Sequence, residues 1–125
     1  MNPSRKKHPP RHRGMFRRVS QYRTMWILVL YDLPTETKRD RQEAAKFRKS
    51  LLKAGFAMFQ FSSYLRYCTS RENAETHIQR VRKALPRKGK VGILRITDKQ
   101  FGMIEIYHGT QRVETQKPVQ QLEFF

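Results

Sequence analysis

The stretch Trp26-Ile27-Leu28-Val29-Leu30-Tyr31-Asp32-Leu33-Pro34 constrains the fold more than any other part of the chain. An unbroken apolar run ends on a single carboxylate, and Pro34 then stops the chain. Such a run, rich in β-favouring residues, predicts a central strand buried on both faces. Asp32 would stand at the carboxyl end of that strand, where open sheets collect ligands.

The rest of the chain must build a sheet around that strand. Thr37 can cap a helix with Asp40 three residues later, and the helix is expected from about Lys38 to Ala54, ended by Gly55. Ala44, Phe47 and Leu51, with Ala45 and Leu52, form its apolar stripe. The stretch Phe56–Tyr67 is aromatic and β-prone but long for one strand, so Ser62-Ser63 is expected to split it by a turn or bulge. A second helix follows, from Arg71 to Leu85, with Ser70 as cap and Ala74, Ile78, Val81 and Leu85 buried. Val91–Thr97 alternates as a strand, Asp98-Lys99-Gln100 turns the chain, and Met103–Tyr107 reads as a further strand. The order β-α-β-β-α-β predicts an α+β, ferredoxin-like domain over residues 25–109, with both helices on one face of an antiparallel sheet. Its strands carry too many apolar residues for one face, so a face-to-face homodimer is expected to cover the other.

Charge narrows the function. Lys and Arg number 27 against 10 Asp and Glu, a net charge of +17, and the usual counterion for such an excess is nucleic acid. Residues 1–24 hold eight of these cations, no acid and almost no aliphatic side chain, so they are expected to form a disordered basic arm. Removing those eight still leaves 19 basic against 10 acidic residues. The tail 110–125 is polar until it closes on Leu122-Glu123-Phe124-Phe125, which is expected to dock on a sheet edge or a partner protomer. Cys68 is the single cysteine, so there is no internal disulfide and no zinc spacing. No apolar run reaches the length of a membrane span, and no signal-peptide core follows the basic start. A reducing, cytoplasmic setting is expected.

Chemistry-bearing residues are sparse. No internal acid pair, Ser-His-Asp set, phosphate-cradling glycine loop or H-E-x-x-H is present. His77 and His108 stand alone, and a lone histidine is more often structural than catalytic. Asp32 before Leu-Pro is, taken alone, more often a turn acid than a ligand. Two-fold symmetry changes that. If two subunits meet near this strand end, two Asp32 carboxylates face each other and call for a divalent cation, for which Mg²⁺ suits. A metal held there could activate water against a phosphodiester.

Several quoted stretches together carry a family resemblance. They are Tyr31-Asp32, Arg39 and Arg41, Phe47-Arg48-Lys49, Leu51-Leu52-Lys53-Ala54-Gly55-Phe56, Gln60-Phe61-Ser62-Ser63-Tyr64 and Thr97-Asp98-Lys99-Gln100-Phe101. In this order they resemble the CRISPR-associated endoribonuclease family that partners the integrase in spacer acquisition. The wording of Lys49–Tyr67 is similar to the versions found beside single-protein effectors. The likeness runs from Met25 to Phe125; the arm 1–24 lies outside it, and Ser62-Ser63-Tyr64 stands where the family usually has Ser-Val-Phe.

The resemblance implies a homodimer with Asp32 of each protomer at a shared Mg²⁺ site and Arg39 and Arg41 facing phosphate. It implies metal-dependent cleavage of RNA, or of duplex DNA in some members. It also implies a scaffold that holds the protospacer duplex between integrase dimers, with a C-terminal strand crossing to the partner through Leu122, Phe124 and Phe125. Arg39, Arg41, Arg48 and Lys49 on the first helix, with Arg87, Lys88 and Lys90 in the basic loop Pro86–Lys90 that stops the second helix, are the expected phosphate contacts. Two alternatives remain open at this point: a ferredoxin-like reader of single-stranded RNA, and a toxin-like ribonuclease.

Overall fold

The computed structural model describes residues 25–114. The apolar run forms β1 (Met25–Asp32), which lies inside a four-stranded antiparallel sheet. The order is β2 (Ala57–Gln60), β3 (Ser63–Cys68), β1, β4 (Lys90–Thr97). Helix α1 (Lys38–Lys53) joins β1 to β2, and α2 (Arg71–Lys83) joins β3 to β4. β3 therefore sits between β1 and β2, and β1 between β3 and β4, which is the ferredoxin-like arrangement.

Local chemistry sets the element ends. Thr37 is extended, its side-chain oxygen accepts from the Asp40 N–H at 3.0 Å, and the Asp40 carboxylate accepts from the Thr37 N–H at 3.2 Å. This full capping box fixes the entry to α1. Gly55 leaves the helix at φ +88, and a Cβ there would fall on the Arg66 guanidinium. Ser70 caps α2 by accepting from Asn73 N–H. The expected break at Ser62-Ser63 contains both devices: Ser62 turns the chain at φ +61, and the β2–β3 register shifts between Met58 and Gln60.

Strand alternation divides the apolar residues between two faces. Ile27 and Val29 of β1 and Tyr64 and Cys68 of β3 face the helices, where Phe47 and Leu51 of α1 and Ala74, Ile78 and Val81 of α2 cover them. His77 is buried in the same layer. Leu85 was expected in this stripe but is exposed, because α2 ends at Lys83; Leu52 and Ala45 also face solvent.

The other face carries Trp26, Leu28, Leu65 and Ile96. Here the expected turn at 98–100 is instead a short helix, α3 (Asp98–Gly102). Thr97 and Gln100 form a capping box at its start. The helix swings Phe101 over Trp26, with ring centroids 5.0 Å apart, and Asp98 Oδ1 accepts the Trp26 indole N–H at 3.0 Å. The strand expected over Met103–Tyr107 shortens to β5 (Ile106–His108), which pairs with β6 (Gln111–Val113) as a separate hairpin through Gly109 at φ +64. The arm 1–24 and the segment with Leu122, Phe124 and Phe125 lie outside the described residues.

Candidate nucleic-acid interface and metal residue

Asp32 closes β1 and is exposed. The β1–β4 register sets it opposite Lys90, so the pair shares one side of the ladder, in line with Leu30 and Leu28 on the helix-free face. Two loops crowd this strand end. The basic loop folds back over it at Gly89, whose φ is +95 and whose missing Cβ would lie 2.8 Å from the Asp32 carbonyl oxygen and 2.6 Å from Leu33 Cδ2. On the other side, the Tyr31 N–H donates to the Ser62 carbonyl at 3.0 Å, pinning the β2–β3 turn beside Asp32.

These loops sort the sequence-predicted cations into groups. Arg39 of α1 lines one small pocket with Arg87, Lys88, Asp40 and Glu43, against Leu33 and Pro34. Lys88 Nζ reaches Asp40 Oδ1 at 4.0 Å. The Thr37 hydrogen bonds hold the Asp40 carboxyl below its usual range, with Lys88 and Arg41 adding to the effect. Arg41 is committed nearby: its Nη1 donates to the carbonyls of Thr35 and Glu36, both at 3.0 Å, and so braces the loop between β1 and α1. Arg48 lines a separate open depression that also contains Asp32, Tyr31, Tyr64, Met58 and Phe61. Lys49 is exposed on α1.

Tyr31 precedes Asp32 on β1 and points to the helix-covered face. It packs edge-on against Phe47 at 5.3 Å and stacks on Tyr64 at 6.0 Å. Burial raises its phenol pKa to about 12, with Tyr64 adding to the rise by charge and hydrogen bonding and Arg48 opposing it. It stays protonated at neutral pH and serves as a hydrogen-bonding, packed support for the strand end. Cys68 is buried, its thiol is pushed up by that burial, and it offers no thiolate nucleophile.

Among the described residues no group of three or more His, Cys, Asp or Glu side chains is placed to hold a metal. One chain brings a single carboxylate, Asp32, to the end of β1. Mg²⁺ is commonly held by one or two carboxylates plus waters and phosphate oxygens, and Asp32 is a donor of that kind.

Comparison with known proteins bears on the whole of this architecture. The family model described as CRISPR associated protein Cas2 matches residues 25–104. The chain belongs to the Cas2 family. The Cas2 match takes in the four-stranded sheet, both long helices and α3, and leaves the β5–β6 hairpin outside. A protein of Flavobacterium psychrophilum named CRISPR-associated endoribonuclease Cas2 is 59% identical over 110 residues, covering 88% of this chain and 96% of its own. A protein of the same name from Parvibaculum lavamentivorans is 46% identical over 101 residues, covering 81% of this chain and all of its own. Another from Paracidovorax avenae is 46% identical over 107 residues, covering 86% and 99%. Among the described residues no helix is long and apolar enough to cross a membrane.

Proposed function

We propose that this Cas2-family chain is a homodimeric scaffold of CRISPR spacer acquisition, which binds protospacer duplex DNA by its phosphates and bridges integrase dimers. The observation that carries this reading is the gathering of Arg39, Arg87, Lys88 and Lys90 around the end of β1, on a chain of net charge +17. Cations without a base-reading helix or ribbon bind backbone rather than sequence. The partly bare apolar face at Leu30 and Leu94 supports pairing through the sheets. The test is duplex affinity measured against salt. A steep slope with little sequence preference is expected, and Arg87→Ala or Lys90→Ala, which removes one contact from each protomer of the dimer, should lower the slope by about two units each. A shallow slope, or a monomeric mass at working concentration, would overturn the reading.

A Mg²⁺-dependent endonuclease acting on RNA or duplex DNA is the second reading, favoured by the placement of Asp32 in one depression with Arg48. Asp32 and Asp32 of the partner subunit would hold the ion, which when bound supplies an activated water. Arg48 would bind the phosphate. If Asp32→Ala cleaves purified RNA and duplex as well as wild type, this reading fails. If spacer acquisition survives in Asp32→Ala, scaffold and catalyst are separated. The reading as a sheet-face reader of single-stranded RNA loses support, because the aromatics of that face, Trp26, Phe59 and Tyr67, are buried or partly covered beside Phe101.

A further inference from the structure

Phe61 is 91% exposed, the most exposed large apolar side chain in the described residues. It sits at the tip of the β2–β3 turn, next to Ser62 at φ +61. That turn is not loose: the Tyr31 N–H holds the Ser62 carbonyl at 3.0 Å, one residue before Asp32. A large aromatic ring is thus held in water by a fixed backbone. Below it lies the open depression of about 360 Å³, within the range of small-ligand sites. Its lining is largely uncharged, with Tyr31, Tyr64 and Met58 beside Phe61, plus Arg48 of α1 and Asp32 at the end of β1.

We propose that Phe61 and this depression form a subsite for one unpaired nucleotide, the base stacking on the Phe61 ring and its phosphate paired with Arg48. The inference rests on the nucleic-acid reading above and adds to it a place for single-stranded ends. The chain's charge excess selects an anionic occupant, while the apolar lining requires that occupant to carry an uncharged planar part. A nucleotide has both. Bases inside a duplex have both faces already stacked, so the subsite takes a base from an overhang or frayed end. The ring is rigid and preplaced, so little order is lost when a base lands on it.

Fluorescence anisotropy with three probes tests this: a blunt duplex, the same duplex with a short single-stranded overhang, and that overhang with abasic residues. Wild type should bind the base-bearing overhang roughly tenfold more tightly than the abasic one, the scale of one aromatic stack. Phe61→Ala should remove that preference, leave blunt-duplex binding unchanged, and keep the salt slope, because no charge is lost. Phe61→Trp should retain the preference. Equal binding of base-bearing and abasic overhangs by wild type, or an intact preference in Phe61→Ala, overturns the subsite. A Phe61→Ala protein that changes oligomeric mass while its probe binding stays as wild type also overturns it, and makes Phe61 a protein contact. Failure of the wild type to bind any probe would instead strike the nucleic-acid reading itself.

Discussion

Neighbouring residues of β1 meet different fates. Ile27 and Val29 point to the helices and are sealed by Phe47, Leu51 and Ile78. Trp26, Leu28 and Leu30 point the other way and form a gradient. Trp26 is fully buried under Phe101, Leu28 is half-buried, and Leu30 is 43% exposed, with Leu94 of β4 at 49%. The helix-covered face is completed within the chain. The opposite face is completed only at the end remote from Asp32. The difference teaches that alternate residues of one strand take different parts: the covered side holds the fold, and the uncovered end is where the basic loop, the turn and the carboxylate converge.

The contrast can be broken most forcefully from the covered side. Phe47→Ala should cost about 3–5 kcal/mol in urea unfolding, since it opens a cavity between α1 and the sheet. A smaller loss is expected on the half-finished face. Asp98→Ala leaves the buried Trp26 N–H without its acceptor and should cost about 1–3 kcal/mol. A pH scan probes the covered face without mutation. Burial holds the His77 pKa below its ordinary 6.5, and the Arg66 and Arg80 charges push it the same way. The unfolded chain therefore takes up the proton first. Stability should fall as pH drops below about 6.5 toward the lower folded value, and His77→Gln should flatten that decline. Leu30→Ala should change chain stability least, by under about 0.5 kcal/mol, as expected of a partly exposed site. Leu30→Glu sharpens the comparison. It should shift the mass measured by light scattering toward monomer while the helix-covered core stays folded.

Much of the fold was legible because its signals are local. The Thr37–Asp40 box, Gly55 and Ser70 each act within one turn of chain, and the β1 run has the length and composition of a buried strand. The short helix was written in the same code, since Thr97 and Gln100 have capping-box spacing; read as a turn, it concealed that Phe101 is the lid on Trp26. The apolar period extended α2 to Leu85, but Pro86 ended the helix earlier, because a residue before proline avoids the helical region. The site was legible in part. Composition and spacing pointed to Asp32 and to the cations, but not to their grouping. That Arg41 braces its own loop is a side-chain bond reaching back five and six residues, which periodicity does not show; that Arg39 shares a pocket with Arg87 and Lys88, and Arg48 a separate depression with Asp32, depends on the meeting of distant segments. Phe61 showed no periodic signal at all, because it is left out of the core.

Gly89 separates the amount of charge from its address. The basic loop lies flat on the Asp32–Leu33 backbone because nothing projects from position 89. An alanine there would leave every cation in the chain and lift Arg87 and Lys88 off the strand end. Two proteins with identical titration curves could then grip the same polyanion quite differently, for want of one hydrogen-sized side chain.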